Sequence, residues 1–149
     1  FENARVYGDA RVYGYARVRG NARVYGYVWI IFGVCDFNVK EDIVGTIRCS
    51  LNLSPVNGYI TLFKRVNSDL TSEYNHKFSY AASRVFESDT NPDWEKSCSS
   101  GIHASVVNYY QKTDTSVIIA LKIKVSDIIT CQEGKVRCTA AEVLGEVDW

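Results

Sequence analysis

The chain has 149 residues, 46% of them hydrophobic, and its 17 basic residues equal its 17 acidic ones. This length and composition predict one globular domain, or one domain with a small appendage, that can bury a core without disulfides or metals. A formal net charge of zero argues against a purely electrostatic nucleic-acid binder. With no run of about 18 apolar residues and no charged-then-apolar leader, the sequence predicts no membrane span and no secretory signal.

The methionine and cysteine content bears on the start of the chain, its cellular compartment and metal binding. There is no Met, and the chain opens inside a repeat, so we expect the natural start to lie upstream. The five cysteines form no C-x-x-C pair, which favours free thiols in a reducing, cytoplasmic compartment. Their spacing from His76 and His103 matches no zinc pattern, so neither a metal nor a cofactor is expected.

Residues 1–38 carry a six-residue repeat of the form Asn-Ala-Arg-Val-Tyr-Gly, with six hexads between residues 3 and 38. Six residues advance an α-helix by about 600°, so Val at every sixth position cannot stay on one helical face. The period instead predicts one short strand and one corner per hexad, with Val and Ala inward. Three hexads per coil would give two coils, with Arg5 on Arg23 and Tyr7 on Tyr25.

The spacing of Val6, Val12, Val18, Val24 and Ile30, each followed four residues later by a small residue, resembles the hexapeptide repeat of left-handed parallel β-helices. The resemblance implies about two coils, which need further contacts for stability. Because many such proteins are trimeric acyltransferases, a fragment of a trimeric acyltransferase is one alternative, and assembly of the β-helix would give a trimer. That chemistry generally needs a His, and the repeats contain none.

Arg and Tyr alternate on the predicted outer face of the repeat. Both types are common at binding hot spots, and both can stack on nucleobases. The binding candidates of this face are Arg5, Tyr7, Arg11, Tyr13, Arg23 and Tyr25. A second interpretation stays open, in which these side chains only form a soluble, β-prone ladder along the stacked strands.

Residues 39–149 lack the hexad period, and their pattern predicts a small mixed α+β domain. Together with the repeat segment, this predicts a chain that is mostly β. Strands are predicted over 43–49, 59–66, 117–125, 135–140 and 142–147, with a hairpin turn at Asn57 and Gly58 between the first two. Residues 78–87 predict a strand or short helix, and residues 104–111 a short helix. Trp94 is expected in a solvated loop.

Several motifs of this half occur in one order: Tyr59-Ile-Thr-Leu-Phe-Lys64, Cys98-Ser-Ser-Gly-Ile-His103, Tyr109-Tyr110, Val125-Ser-Asp-Ile-Ile129 and Lys135-Val-Arg-Cys138. Together they resemble the C-terminal region of phage rapid-lysis rIIB-like proteins, over roughly residues 58–147. The interval between His103 and Tyr109 is shorter than in that family. The resemblance implies a phage or prophage context and carries no established chemistry.

A shorter stretch, Gly101-Ile-His-Ala104 followed by Asn108-Tyr109, is similar to the Gly-Ile-Tyr and Asn-Tyr motifs of ADP-ribosyltransferases. This implies, as an alternative, a fold that binds NAD or a nucleotide. His103 replaces the family's Tyr, and Glu142 and Glu146 form no Glu-x-Glu pair, so the relative would be catalytically inactive. A structural His103 that bonds the backbone or Asp93, and a Cys98–His103 nucleophile, are further alternatives.

The sequence therefore favours a phage or prophage accessory protein that acts as a protein-interaction module in the host bacterial cytoplasm. Its partner would be a host or phage protein, and inhibition of a bacterial immune complex is one specific form of this function. The Arg and Tyr face of the repeat and the loop with Trp94, His103 and Tyr109 are the expected contact surfaces. Catalytic residues are not assigned.

Overall fold

A computed structural model describes residues 3–148, and these residues are mostly β with one α-helix. The repeat segment, residues 3–38, contains six two-residue strands. They are β1 (Arg5–Val6), β2 (Arg11–Val12), β3 (Arg17–Val18), β4 (Arg23–Val24), β5 (Trp29–Ile30) and β6 (Val34–Cys35). Strands three apart pair in parallel as β1 with β4, β2 with β5 and β3 with β6. The predicted stacking of Arg5 on Arg23 is confirmed.

The sixth hexad differs from the predicted register by one residue. Val18 pairs with Cys35, whereas a strict six-residue period would place Asp36 opposite Val18. Cys35 is fully buried and Asp36 is exposed. A shift of one residue therefore puts a thiol in the core and keeps a carboxylate in water, which avoids the cost of burying an unpaired charge.

The segment from Ile43 to Leu51 forms helix α1, so the strand predicted over 43–49 is wrong. The Asp42 side chain accepts a hydrogen bond from the Gly45 N–H at 2.8 Å and so caps the helix N-terminus. Asn52 ends the helix in the left-handed conformation, with φ of 56°. Although the β-branched residues favour a strand locally, the two caps and the buried Ile47 favour the helix.

Helix α1 packs against β5, β6 and β11 (Ile128–Gln132), and so joins the repeat to the rest of the chain. The Cys49 carbonyl oxygen accepts hydrogen bonds from the Ile31 and Phe32 N–H groups at 2.8 and 2.9 Å. The Ser50 hydroxyl donates to the Trp29 carbonyl oxygen at 2.5 Å. The helix therefore contributes to one core with the second row of repeat strands, together with Val24, Ile30 and Trp94.

The remaining strands form two antiparallel sheets. They are β7 (Tyr59–Asn67), β8 (Arg84–Phe86), β9 (Ile102–Ala104), β10 (Ser116–Lys124), β11, β12 (Lys135–Cys138) and β13 (Ala140–Val147). One sheet has the order β7-β10-β13-β8 and the other β11-β12-β9. Backbone hydrogen bonds between Phe63 and Ser105 connect the two sheets at the β7 edge. The buried faces of β7, β10 and β12 supply half of the buried residues of the second core.

The strand predicted over 117–125 is confirmed as the central β10, and that over 59–66 as β7. The predicted helix over 104–111 is wrong in extent, because only one 3₁₀ turn forms at Val107–Tyr109. The hairpin predicted between residues 43–49 and 59–66 is wrong, because the first of these segments is helical. The turn at Asn57 and Gly58 nevertheless has the two positive φ angles expected of a type I′ turn. No helix of the described residues is long and apolar enough to cross a membrane.

Two valines of the repeat offer a matched test of the core that α1 and Trp94 share with the repeat strands. Val6 and Val24 are register partners, but Val6 is 46% exposed and Val24 is fully buried. We expect Val24→Ala to lower the free energy of unfolding by about 2 kcal/mol, since it removes two buried carbon groups and leaves a cavity. Val6→Ala should change it by under about 0.5 kcal/mol. Urea denaturation measures both, and equal losses would contradict the described packing.

Candidate functional site

Residues 91–101 form a loop that we call the arginine-held loop, because the side chain of Arg137 organises its backbone. Arg137 is 1% exposed. Its Nη1 donates to the carbonyl oxygens of Asn91 and of Ser100, the latter at 3.3 Å. Its Nη2 donates to the carbonyl oxygens of Asp93 and Lys96 at 2.6 and 3.0 Å. One guanidinium thus satisfies four backbone acceptors of a loop that has no strand or helix of its own.

A second buried polar side chain, Gln132, holds the same loop to the repeat segment. Its Oε1 accepts from the Tyr27 N–H at 2.7 Å, and its Nε2 donates to the Trp94 carbonyl oxygen and to the Thr130 hydroxyl. The Glu133 N–H donates to the Tyr27 carbonyl oxygen at 2.8 Å. The repeat, the loop and β11 therefore meet at one amide group.

Two glycines allow these close approaches. Gly26 has φ of +69°, and a Cβ there would lie 2.9 Å from the Gln132 Oε1. Gly101 has φ of +139°, and a Cβ there would lie 2.9 Å from the Arg137 Cγ. Both positions require a backbone conformation and a space that a larger residue does not tolerate.

The tyrosine groove lies between the repeat and the arginine-held loop and has a volume of about 700 Å³. The Tyr7 and Tyr25 rings stack with centroids 5.0 Å apart and planes 2° from parallel. The ring of Trp94 packs against Tyr25 at 5.1 Å. Around the rings the groove is lined by four carboxylates and one ammonium group, from Asp9, Asp93, Glu95, Glu133 and Lys96. It therefore combines aromatic faces with an excess of negative charge.

A second, partly open cavity of about 650 Å³, which we call the lysine cavity, is lined by β7, residues 72–80, the end of the arginine-held loop and the turn at Val107–Tyr109. Lys64 lines it and is only 6% exposed. Its Nζ donates to the His103 carbonyl oxygen at 3.0 Å and lies 5.7 Å from the centroid of the Tyr80 ring. Burial lowers the pKa of Lys64 to about 8, because the charged form loses its hydration.

His103, in β9, also lines the lysine cavity. Its Nε2 lies 2.6 Å from the Ser99 carbonyl oxygen, and since a carbonyl only accepts, the Nε2 carries the proton. Nδ1 is buried without a hydrogen-bond partner among the described residues. Burial lowers the pKa of His103 to about 4, and the hydrogen bond to Ser99 opposes this shift. The imidazole is therefore neutral near pH 7 and fixes the loop by a backbone contact, as the structural interpretation expects.

The structure separates these predicted binding residues into four places. Tyr7 and Tyr25 lie in the tyrosine groove, and His103 and Tyr109 line the lysine cavity. Arg5 and Arg23 line a shallow surface depression beside Tyr7. Arg11 donates to the Tyr13 hydroxyl at 3.3 Å on another face of the repeat, where Tyr13 contacts Trp29 edge to face.

The prediction that Trp94 lies in a solvated loop is wrong, because the structure buries its side chain. The side chain is 8% exposed and belongs to the core of the repeat. Its large ring covers Tyr25, which a solvated position would not allow. Trp94 thus supports the groove from below and offers little surface to a partner.

Sequence reasoning missed Lys64, Arg137, Gln132 and the four carboxylates of the tyrosine groove. One signal was present for Lys64. In the predicted strand 59–66, the inward positions alternate as Ile60, Leu62, Lys64 and Val66, so the strand period already placed a lysine in the core. For the carboxylates no comparable signal exists, because they come from separate segments of the chain.

All five cysteines are free thiols, and Cys98 is the exposed one. Cys98 lines both the tyrosine groove and the lysine cavity, whereas burial raises the pKa of Cys131 and Cys138 to about 12. Within residues 3–148 no three His, Cys, Asp or Glu side chains are grouped as a metal site. Comparison with protein-family models, characterised proteins and solved structures finds no match to this chain.

Arg137 can be tested by substitution. We expect Arg137→Met to lower the free energy of unfolding by about 3 kcal/mol, because it removes the hydrogen bonds of a buried guanidinium to four partly buried carbonyl groups of the loop. Hydrogen exchange should rise in residues 91–101 before the sheets are affected. Arg84→Met, at an exposed position of β8, is the matched control and should change neither measurement. Unchanged exchange in the loop of the Arg137 variant would contradict its assigned role.

His103 predicts a pH dependence of stability. Its pKa is about 4 in the folded chain against 6.5 for a free imidazole, so the unfolded chain binds more protons between these values. The contribution of neutral His103 is therefore complete above pH 6.5 and is lost as the pH falls towards 4, by at most about 3 kcal/mol. Denaturation curves of His103→Gln should show a smaller loss of the free energy of unfolding between pH 6.5 and 4 than those of the wild type. The exposed His76→Gln should behave like the wild type, and a common slope for all three would refute this assignment.

Proposed function

We propose that this chain is a phage or prophage accessory protein that acts as a protein-interaction module, with its partner bound in the tyrosine groove. The observation that carries the proposal is the stacked Tyr7 and Tyr25 pair within a rim of four carboxylates. Aromatic faces and carboxylates together favour Lys and Arg side chains, through cation–π contacts and ion pairs. The occupant is therefore a basic segment of a partner protein.

The rigidity of the groove supports the same proposal. Tyr7 extends from the first row of repeat strands and Tyr25 from the second, so both rings are held at the spacing of paired strands. On the opposite side, the backbone of residues 93, 96 and 100 is fixed by Arg137. A preformed site loses less conformational entropy when a partner binds.

We further propose that the repeat segment winds as a left-handed parallel β-helix. The hexad period and the parallel pairing of strands three apart support this geometry.

The resemblance to phage rapid-lysis rIIB-like proteins supports a partner in the cytoplasm of the host bacterial cell. The partner is a host or phage protein, and blocking a bacterial immune complex is the specific form that we propose to test first. The proposal of an immune complex rests on the phage resemblance, whereas the proposal that the partner binds through a basic segment rests on the charge of the groove.

A cross-linking experiment tests the proposal, because Cys98 is exposed and lines the groove. A photoreactive group attached to Cys98 should capture partner peptides from bacterial lysate, and mass spectrometry should find that these peptides are rich in Lys and Arg. The same group on Leu144→Cys, placed in a Cys98→Ser background, is the matched control at an exposed position of β13. Acidic or neutral peptides, or equal capture from both positions, would overturn the proposal.

Two variant pairs then assign the contacts with a captured peptide. We expect Tyr7→Ala and the double variant Asp9→Lys and Glu95→Lys each to weaken binding by about tenfold, with the charge effect falling as salt rises. The controls are Tyr15→Ala, at a fully exposed ring outside the groove, and Glu142→Lys, at an exposed position of β13. Fluorescence anisotropy measures the affinity for the peptide. An affinity that neither groove change alters would also contradict the proposal.

A further inference from the structure

The lysine cavity holds a buried ammonium group that makes no direct ion pair. Within residues 3–148 the salt bridge present joins Arg65 and Glu73, at 2.9 Å, and Glu73 acts on the Lys64 ammonium group only at longer range. The acceptor that the described chain offers to Lys64 Nζ is the single carbonyl oxygen of His103. An ammonium group carries three donors, so two remain available to a molecule in the cavity.

The walls of the lysine cavity are aromatic. Phe78 and Tyr80 meet edge to face with centroids 5.1 Å apart, and Tyr109 and Tyr110 form a second such pair, also at 5.1 Å. All four rings line the cavity. Flat heterocyclic rings bind well between such side chains, because every ring face offers a stacking surface.

The size and the charge of the cavity agree with one class of compound. A volume of about 650 Å³ lies within the range of small-molecule and cofactor sites, which are largely apolar with a few convergent polar groups. Three basic side chains line the cavity, Lys64, Arg65 and Lys135, against the two carboxylates of Glu73 and Glu87. Glu73 pairs with Arg65, so one net positive charge remains among the lining residues. We propose that the lysine cavity binds a nucleoside monophosphate, with the phosphate at Lys64 and the base among the aromatic rings.

This site goes beyond the protein-interaction function, because it involves a different surface and a small molecule. The two sites touch at Cys98, which lines both. A buried lysine in a purely structural role would stabilise the fold through its contacts. A lysine kept for an anionic ligand instead destabilises the empty protein, since its burial disfavours the charge.

The direct test is isothermal titration calorimetry at pH 7.5 with adenosine monophosphate, adenosine, ribose 5-phosphate and inorganic phosphate. We expect adenosine monophosphate to bind at least tenfold more tightly than each of the other three. No binding of adenosine monophosphate at millimolar concentration would overturn the proposal. Equal binding of adenosine would refute the role of the phosphate, and equal binding of ribose 5-phosphate would refute the role of the rings.

Variants assign the binding to this cavity. Lys64→Met should weaken adenosine monophosphate binding at least tenfold while the melting temperature of the empty protein stays equal or rises. Lys124→Met, at an exposed position of β10, is the matched control and should bind like the wild type. Tyr109→Ala removes a 42% exposed wall of the cavity and should weaken binding about fivefold. Wild-type affinity in the Lys64 and Tyr109 variants would overturn the proposal.

The pH dependence of the wild-type protein keeps the test independent of any variant that fails to fold. The groups that face Lys64 are His103, Tyr80, Cys138, Glu73 and Lys135, and the charged side chains of Arg65 and Glu87 line the same cavity. The pKa of His103 is about 4 and that of Cys138 about 12, and burial raises the pKa of Tyr80, so these three stay neutral between pH 7.5 and 9. Because the pKa of Lys64 is about 8, adenosine monophosphate should bind roughly eightfold more weakly at pH 9 than at pH 7.5. An unchanged affinity over this range would contradict binding at the Lys64 ammonium group.

Discussion

The contact between the Arg137 guanidinium and the backbone of residues 91–101 is the interaction on which both candidate sites depend. This loop has no regular secondary structure, so its carbonyl groups need donors from elsewhere. Arg137 supplies them from the middle of β12, which pairs with β11 on one side and β9 on the other. Residues 93 and 95–98 of the loop line the tyrosine groove, and residues 98–101 line the lysine cavity. One buried side chain thus positions a wall of each site.

The repeat segment depends on the rest of the chain for its stability. Two rows of two-residue strands bury little surface by themselves, and the first row keeps Val6 and Val12 partly exposed. The second row is covered by α1 and Trp94, and Gln132 joins it to β11 and the loop. Because Tyr25 belongs to this covered row, the aromatic floor of the groove is anchored in the core, while Tyr7 lies at its accessible end.

The two sites differ in how charge is used. In the tyrosine groove the carboxylates are near the surface, where water screens them, so they can guide and select a charged partner. In the lysine cavity a single ammonium group is removed from water, and each contact it makes is correspondingly stronger. This contrast is the reason that we assign a macromolecular segment to the groove and a small anion to the cavity.

The sequence by itself determined the features that repeat or alternate along the chain. The hexad period fixes which strands stack, and the alternation over 117–125 defines β10, because both follow from the covalent spacing of side chains. Even the inward position of Lys64 follows from the two-residue period of β7. Only the tertiary structure decided that residues 43–51 are helical, that Cys35 replaces Asp36 in the core, and that Arg137 organises a loop more than 35 positions before it. Apart from the local caps of α1, these outcomes depend on burial and on hydrogen bonds between distant segments, and local patterns do not contain that information.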